Sequence, residues 1–485
     1  MSADAIEVWS VVEGKEPSHG GDAFSSDDPW SGEPVASAHP ADRADVERAA
    51  AAARGGFERW GAMSWTARGD LLARVAGVVR ERADGLADLA VREVGKPVVE
   101  ARGEVERTAR IFEFYAQETR RAKGAIVPAD EPGVAVLTRR RPLGPVVLIT
   151  PWNFPFAIPA WKMAPALACG NAVMWKPASA AVACAQAVTR CVLDAGVPAD
   201  VLSLIVGGGA VGEALVDQPV AGLSFTGSTS VGHRLRERVA PRGVRVQLEL
   251  GGKNVAVVLD DVENPAAVAA LLARAAFGYA GQKCTATSLV LAEAGVRDQL
   301  QEALAGETEG LPWGDPADDA VVGGPVISEE QGRFVREQLA DSERAGAEVL
   351  ARGQVASRRE SVVEPTLVSA ASGEELVARE EVFGPVLTVL PDRGARSLSE
   401  LANARDYGLV ASIFGRDLDR VRELTNSLEV GVIAINRLST GLEVQAPFGG
   451  WKASGSSDPE QGTEAINFYT RSQTVYWKSE GSEWP

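Results

Sequence analysis

Histidine is nearly missing from this chain of 485 residues: three are present, His19, His39 and His233. Two fall in an N-terminal stretch that reads as loose and the third in a predicted helix, which excludes a histidine metal cluster and a Ser/His/Asp triad. Any general base is therefore expected to be a carboxylate. Cysteine is also scarce. The four present (Cys169, Cys184, Cys191 and Cys284) show no C-x-x-C spacing, so neither a zinc ribbon nor a disulfide framework is indicated, no metal is expected, and a reducing, cytoplasmic setting fits best. No apolar run approaches the ~18 residues of a membrane span, and the first forty residues lack the apolar centre of a signal peptide. No membrane partner is expected. Cationic surface is in short supply as well: 49 Lys and Arg against 66 Asp and Glu leave a formal net charge of -17, which argues against a nucleic-acid partner. The one basic run, Arg139 to Arg141, is too short to reverse that.

What is present points to an α/β protein of two or three units, since the chain exceeds the usual size of a single core. From Asp42 to about Gly124 apolar residues recur every three or four positions, predicting successive amphipathic helices with a boundary at Gly95 and Pro97. Their polar faces read as solvated and without chemistry. Residues 133–141 predict a strand that Pro142 closes, and GPVVLIT predicts another, apolar throughout and so covered on both faces. The second strand runs into PWNFP (residues 151–155), where ligands gather in open α/β sheets. Asn153 there offers amide donors to an oxyanion, or satisfies its own turn. A predicted helix over Ala157–Cys169 leads to NAVMWKPAS, a short strand with Lys176 at its exit. That lysine reads either as a donor to ribose or phosphate or as a solvated charge. The next helix, about Ala180 to Asp194, carries Cys184 and Cys191 on one face for packing.

Two glycine-rich stretches compete as phosphate cradles. VLSLIVGGGAVG supplies Gly207, Gly209 and Gly212 in GxGxxG spacing, but no acidic residue stands about twenty positions further on to hold a ribose. LSFTGSTSVG is the better candidate, because a predicted strand (Leu223–Thr226) ends in Gly227 and Ser228 where a helix opens. In VRVQLELGGKN, Val246, Leu248 and Leu250 share one strand face and Glu249 the other, a carboxylate that is either a general base or merely solvated. GYAGQKCTATS (residues 278–288) then places Cys284 on a glycine-flanked connection between a predicted helix, Pro265 to Phe277, and a predicted strand, Ser288 to Leu291. Alone, Cys284 reads equally as a nucleophile or as a small buried hydrophobe, and the adjacent Lys283 is expected to lower its pKa.

Seven motifs occur in this order: PWNFP, WKPAS, FTGSTSVG, LELGGKN, GQKC, EEVFGP and APFGGWKASG. Together they resemble the aldehyde dehydrogenase superfamily over nearly the whole chain. The resemblance implies two Rossmann-related α/β domains plus a small β oligomerisation arm. Residues 1–121 and 142–250 would form the cofactor-binding domain, 251–446 the catalytic domain, and 122–141 with 463–485 the arm. That arm would pair the strand around Val134 to Arg141 with Gln473 to Trp477 and build a homodimer or homotetramer. By the same resemblance Cys284 attacks a small-molecule aldehyde, Asn153 and the Cys284 N–H hold the oxyanion, and Glu249 activates the water that hydrolyses a thioester. Free acid, rather than acyl-coenzyme A, is the product implied by the presence of Glu249.

The cofactor implied is NADP or NAD. Lys176 is assigned to its ribose, Gly227 and Ser228 to its pyrophosphate, and Glu381 and Phe383 to the nicotinamide ribose region. Thr150, Pro151, Trp152, Ala178, Ser179, Gly209, Gly212, Phe225, Thr226 and Gly251 complete the expected cofactor contacts. Ser179 stands where many NAD-preferring relatives carry Glu, which implies that NADP is accepted. The implied substrate tunnel is lined by Phe154, Ile158, Trp161, Lys283, Thr285, Leu442 and Phe448. Relatives specific for succinic semialdehyde carry arginines at the positions of Trp161 and Gly278, so that substrate is disfavoured. IPAWKMAPALACGN, GQKCTATS and the EQG ending at Gly462 are similar to the α-ketoglutaric semialdehyde branch, with Lys283 or Arg437 as partner for a carboxylate. An aromatic or amino aldehyde, and a catalytically retired binding relative, are the alternatives.

Overall fold

The computed structural model describes residues 5–16, 21–121, 123–355, 357–391 and 397–478. His19 and residues 479–485 of the expected arm lie outside them. The helices predicted after Asp42 are Arg43–Ala62, Trp65–Glu81, Ala83–Val94 and Val98–Glu118. Local chemistry sets their ends: Asp42 and Asp45 close a capping box, Ser64 accepts from the Ala67 N–H, and Gly95 stops the third helix at φ 65°. Trp60, Leu72, Val75 and Phe112 on their inner faces are fully buried.

Their polar faces are not all solvated, which corrects the sequence reading. Lys96 and Glu104 form an ion pair buried at both ends. Glu104 Oε1 also accepts from the N–H groups of Phe156 (2.8 Å) and Ala157 (3.0 Å) at the start of helix Ala157–Cys169. A carboxylate taken from water needs such partners, and this one fixes the turn that precedes the helix.

A five-stranded parallel sheet runs in the order Arg245–Glu249, Gly222–Thr226, Val146–Ile149, Val173–Lys176, Leu202–Leu204. Its central strand, Val146–Ile149, is buried along its whole length, as an apolar run covered on both faces must be. A seven-stranded sheet has Asn254–Val258 and Thr287–Ala292 side by side near its centre. It is parallel except at Glu348–Arg352, which pairs antiparallel with Thr366–Ser369. A third sheet pairs Val134–Pro142 with Thr470–Lys478, setting Arg139 opposite Gln473 and Ala135 opposite Trp477.

The N-terminal stretch departs from expectation. Ile6–Val8, Phe24–Asp27 and Pro34–Ala38 make a three-stranded sheet. His39 follows it, stacked on Trp9 at 3.7 Å with Nε2 2.8 Å from Glu7. Strands of three to five residues are too short to show a period in the sequence. Among the described residues no helix is long and apolar enough to cross a membrane.

Candidate active site

Helix Pro265–Phe277 has the predicted bounds, with Asn264 accepting from the Ala267 N–H at its start and Pro265 in its first turn. The chain then turns tightly through Gly278–Gly281, with Tyr279 and Ala280 in the left-handed region (φ 55° and 52°). Such backbone is held only when its surroundings over-determine it. Tyr279 Oη donates to the Val94 carbonyl (2.9 Å), and Gln282, fully buried, accepts from the Ile327 N–H (2.7 Å) while its amide faces the Pro325 carbonyl. Gly281 (φ +70°) leaves no room for a Cβ against the Gly384 carbonyl.

Cys284 follows, and two asparagines pin its loop. Asn254 Nδ2 donates to the carbonyls of Cys284 (2.7 Å) and Ala286 (2.8 Å), while its Oδ1 accepts from the Val410 N–H. Asn153 Nδ2 donates to the Gln282 carbonyl at 2.9 Å, and its Oδ1 is buried without a partner. Asn153 is thus locked against the cysteine loop, and its nitrogen carries a second N–H.

Two cavities meet at Cys284. The first, of about 260 Å³, is lined by Pro151, Trp152, Asn153, Thr226, Gly227, Ser228, Gly251, Glu381 and Phe383. Ile158, assigned to the substrate tunnel from sequence, also lines this one. The second, of about 320 Å³, is lined by Phe154, Trp161, Lys283, Thr285, Leu442 and Phe448, and by Glu100, Arg107 and Gln461, which sequence reading did not single out. Cys284 belongs to the wall of both.

The lining of the first cavity suits the phosphate and nicotinamide end of a dinucleotide. Ser228 opens helix Thr229–Val239 without using its hydroxyl as a cap, Thr226 Oγ1 is buried and unpartnered, and the Gly227 N–H bonds the Glu249 carbonyl at 3.1 Å. A side chain on Gly251 would collide with the Glu381 carboxylate, which accepts from the Gly252 N–H at 3.1 Å. Phe383, at φ 49°, meets Trp152 edge to face at 5.7 Å. Burial pushes Glu381 up to about 7.

Other expected cofactor contacts sit further off. Thr150 is buried, its hydroxyl accepting from the Trp175 indole (2.9 Å). Phe225 packs its ring under Gly227 and Gly232. Lys176 is buried at the end of strand Val173–Lys176 and donates to the Pro177 carbonyl, with burial lowering it to about 8. Gly212 lies against the Lys176 stem, Gly209 is exposed at the start of helix Gly209–Val216, and Ala178 and Ser179 are half-buried beyond the strand exit.

The electrostatics correct one expectation outright. Lys283 does not lower the Cys284 pKa: its ammonium pairs with Glu100 at 2.7 Å. Burial, then the charges of Glu381, Glu249 and Glu460, push the Cys284 thiol up to about 12. Iodoacetamide is therefore expected to alkylate Cys284 slowly at pH 7, with a rate rising about tenfold per pH unit toward pH 10. Peptide mapping of the time course would show it, and a rate already level by pH 8 would contradict it.

Glu249 ends its strand with the carboxylate buried (3 % exposed), the Gly450 N–H its nearest backbone donor, and it lines neither cavity. Its Oε1 lies where a Cβ on Gly449 would be 3.3 Å away. Burial and the nearby Glu460 raise its pKa well above the ordinary carboxylate value, against the opposing pull of Lys162. Lys162 and Glu460 are themselves a buried ion pair, and Lys162 Nζ donates to Ser224 Oγ (2.8 Å), which donates to Gln247 (2.9 Å). Sequence reading gave Lys162 and Glu460 no role, although both stand inside quoted motifs. Among the described residues no group of His, Cys, Asp and Glu is placed to hold a metal ion.

A parallel nucleotide-type sheet and two cavities joined at one thiol define a nucleotide-dependent α/β oxidoreductase. The chain belongs to the aldehyde dehydrogenase family, whose sequence profile matches residues 16–475. As a member it oxidises aldehydes to acids with NAD or NADP. It is 38% identical over 441 residues to an alpha-ketoglutaric semialdehyde dehydrogenase of Bacillus subtilis, covering 90% of each chain. It is 36% identical to a 2,5-dioxopentanoate dehydrogenase of Saccharolobus solfataricus, covering 89% of this chain and 91% of that one. Among solved structures, a putative aldehyde dehydrogenase from Burkholderia cenocepacia superposes with a TM-score of 0.92 at 35% identity, over 97% of this chain and 99% of that one.

Proposed function

We propose that the protein oxidises a carboxylate-bearing semialdehyde of the α-ketoglutaric type to the free diacid, with Cys284 as nucleophile. The observation that carries this reading is the position of Cys284 on the common wall of two cavities. The aldehyde enters from the tunnel side and the sulfur, losing its proton to solvent, adds to its carbonyl carbon, giving the anion of a thiohemiacetal. Asn153 Nδ2 and the Cys284 N–H donate to the oxyanion as it forms. Gly227, Ser228, Glu381 and Phe383 hold the cofactor, with Lys176 toward its ribose. The nicotinamide, when bound, supplies the acceptor for the hydride lost from this adduct, and a thioester remains on the sulfur. Glu249 then takes a proton from water, which attacks the thioester and releases the acid.

The buried Lys162–Glu460 pair acts electrostatically on Glu249 and is the route we assign to the proton it accepts. The semialdehyde assignment draws support from the first relatives above. A cationic amino aldehyde is disfavoured by the Arg107 guanidinium, 5.9 Å from the Trp161 ring centroid. An aromatic aldehyde keeps one supporting feature, the Trp161 and Phe448 rings 6.3 Å apart. Retirement as a binding protein is disfavoured by the retention of Cys284, Asn153 and Glu249.

Ser179, half-buried three residues beyond Lys176, carries no charge to repel a 2′-phosphate, and we propose that NADP is accepted. An aldehyde panel run with both cofactors tests the reading: 2,5-dioxopentanoate should give the highest kcat/KM, with NADP within about tenfold of NAD. Ser179→Glu should then cut kcat/KM for NADP by about 10–100-fold while sparing NAD. Strict exclusion of NADP by the parent enzyme would sink the cofactor part.

We also assign residues 1–121 and 142–250 to cofactor binding, 251–446 to catalysis, and 122–141 with 463–485 to an arm that joins protomers into a homodimer or homotetramer. Ile126, Tyr476 and Trp477, exposed on the third sheet, support such an arm. A cytoplasmic setting is supported by four unpaired cysteines.

A further inference from the structure

Helix Val98–Glu118 borders the substrate tunnel with Gly103 and Arg107, four residues apart and so on one face. The other cation of this wall, Lys283, and the fully buried Lys96 are already neutralised. Lys283 pairs with Glu100, and Lys96 with Glu104. Arg107 differs. Among the described residues no carboxylate lies within ion-pair distance of its guanidinium, and its one hydrogen bond is a long 3.5 Å contact from Nη2 to Gln461 Oε1. The carboxylates that act on it, Glu443 and Glu104, do so from further away, and burial holds its pKa below the usual value.

Trp161, 8 % exposed, lines the same cavity, and its guanidinium neighbour Arg107 lies 5.9 Å from the ring centroid. Arg107 is half-buried, and its planar guanidinium suits the two oxygens of a carboxylate. Phe154, Leu442 and Phe448 supply apolar surface, and the two carboxylates of the wall, Glu100 and Glu104, are taken by Lys283 and Lys96. A short aliphatic chain between an aldehyde at Cys284 and an anionic end matches that distribution.

We infer that Arg107 receives the terminal carboxylate of the substrate and thereby selects ω-aldehyde acids over uncharged aldehydes. The inference rests on the semialdehyde reading above, and it moves the carboxylate partner away from the two residues expected from sequence. Lys283 is taken by Glu100, and Arg437 is exposed, its Nη2 donating to the Gly441 carbonyl at 3.0 Å.

The test is the ratio of kcat/KM for 2,5-dioxopentanoate to that for pentanal, measured on one preparation so that any loss of folded enzyme cancels. In the parent enzyme the acid is preferred. In Arg107→Met the ratio falls about 10–100-fold, mainly through a higher KM for the acid, and Arg107→Lys retains part of the preference. A parent-like ratio in Arg107→Met overturns the role of Arg107 and leaves the semialdehyde reading standing. Absence of any preference for the acid in the parent enzyme overturns that reading itself, and with it this inference.

Discussion

Replacing Cys284 by alanine is expected to lower steady-state cofactor reduction by on the order of 10⁴-fold or more, with the protein still folded. No second thiol can substitute. Cys169, Cys184 and Cys191 are fully buried, their thiols all pushed up by burial, and none lines either cavity at the site. The loop itself is held by contacts the substitution leaves alone: Asn254 to the Cys284 and Ala286 carbonyls, and Gln282 to its neighbours. Thermal unfolding should therefore move by only a few degrees. Cys191→Ala is the matched control, expected to cost about 1–2 kcal/mol of stability and to retain turnover. Near-parent turnover in Cys284→Ala would remove the proposed nucleophile.

Glu249→Gln should separate the two halves of the reaction. Acyl transfer to sulfur does not need the carboxylate, so a first turnover of reduced cofactor appears as a burst. Hydrolysis does need it, and the steady state falls by about 10²–10⁴-fold. The pH dependence has a definite sign. Burial and Glu460 raise the Glu249 pKa, so the group keeps its proton at a pH where an exposed carboxylate has lost it. Hydrolysis by the parent enzyme should consequently weaken as pH falls through that raised pKa, a limb displaced upward from the ordinary carboxylate range. The limb should vanish from the residual steady state of Glu249→Gln. An unchanged steady state in that variant would contradict the assignment.

Burial pushes both principal groups upward, the Cys284 thiol to about 12 and the Glu249 carboxylate well above its ordinary value. Two buried acids that share a negative environment cannot both ionise cheaply, so proton loss from sulfur must accompany attack on the carbonyl. This is the reverse of a thiol activated by an adjacent lysine. The difference lies in Glu100, 183 positions away in the chain, which claims Lys283.

That case shows what the chain discloses about itself and what it withholds. Helix Pro265–Phe277 could be read to the residue because Asn264, Pro265 and an apolar spacing agree locally. The strand Val146–Ile149 was legible for the same reason, through its unbroken apolar run. Charged residues on helices carry no such signal. Glu104, Lys96, Lys162 and Arg107 look like any solvated face, and only the fold brings Lys162 to Glu460, 298 positions on. Asn254 stood inside a quoted motif, yet its two carbonyl contacts become apparent only when strands Asn254–Val258 and Thr287–Ala292 lie side by side. The resemblance to the family's motifs implies Ile158 in the tunnel, and the helix turns it toward the other cavity.

The most direct test of the account is the mass of the enzyme caught between its two half-reactions. Glu249→Gln, mixed with 2,5-dioxopentanoate and cofactor, then quenched in acid and digested, should yield the Cys284 peptide carrying one acyl group as a thioester labile to hydroxylamine. An unmodified Cys284 peptide alongside stoichiometric reduced cofactor, or an acyl group on any other residue, would contradict it.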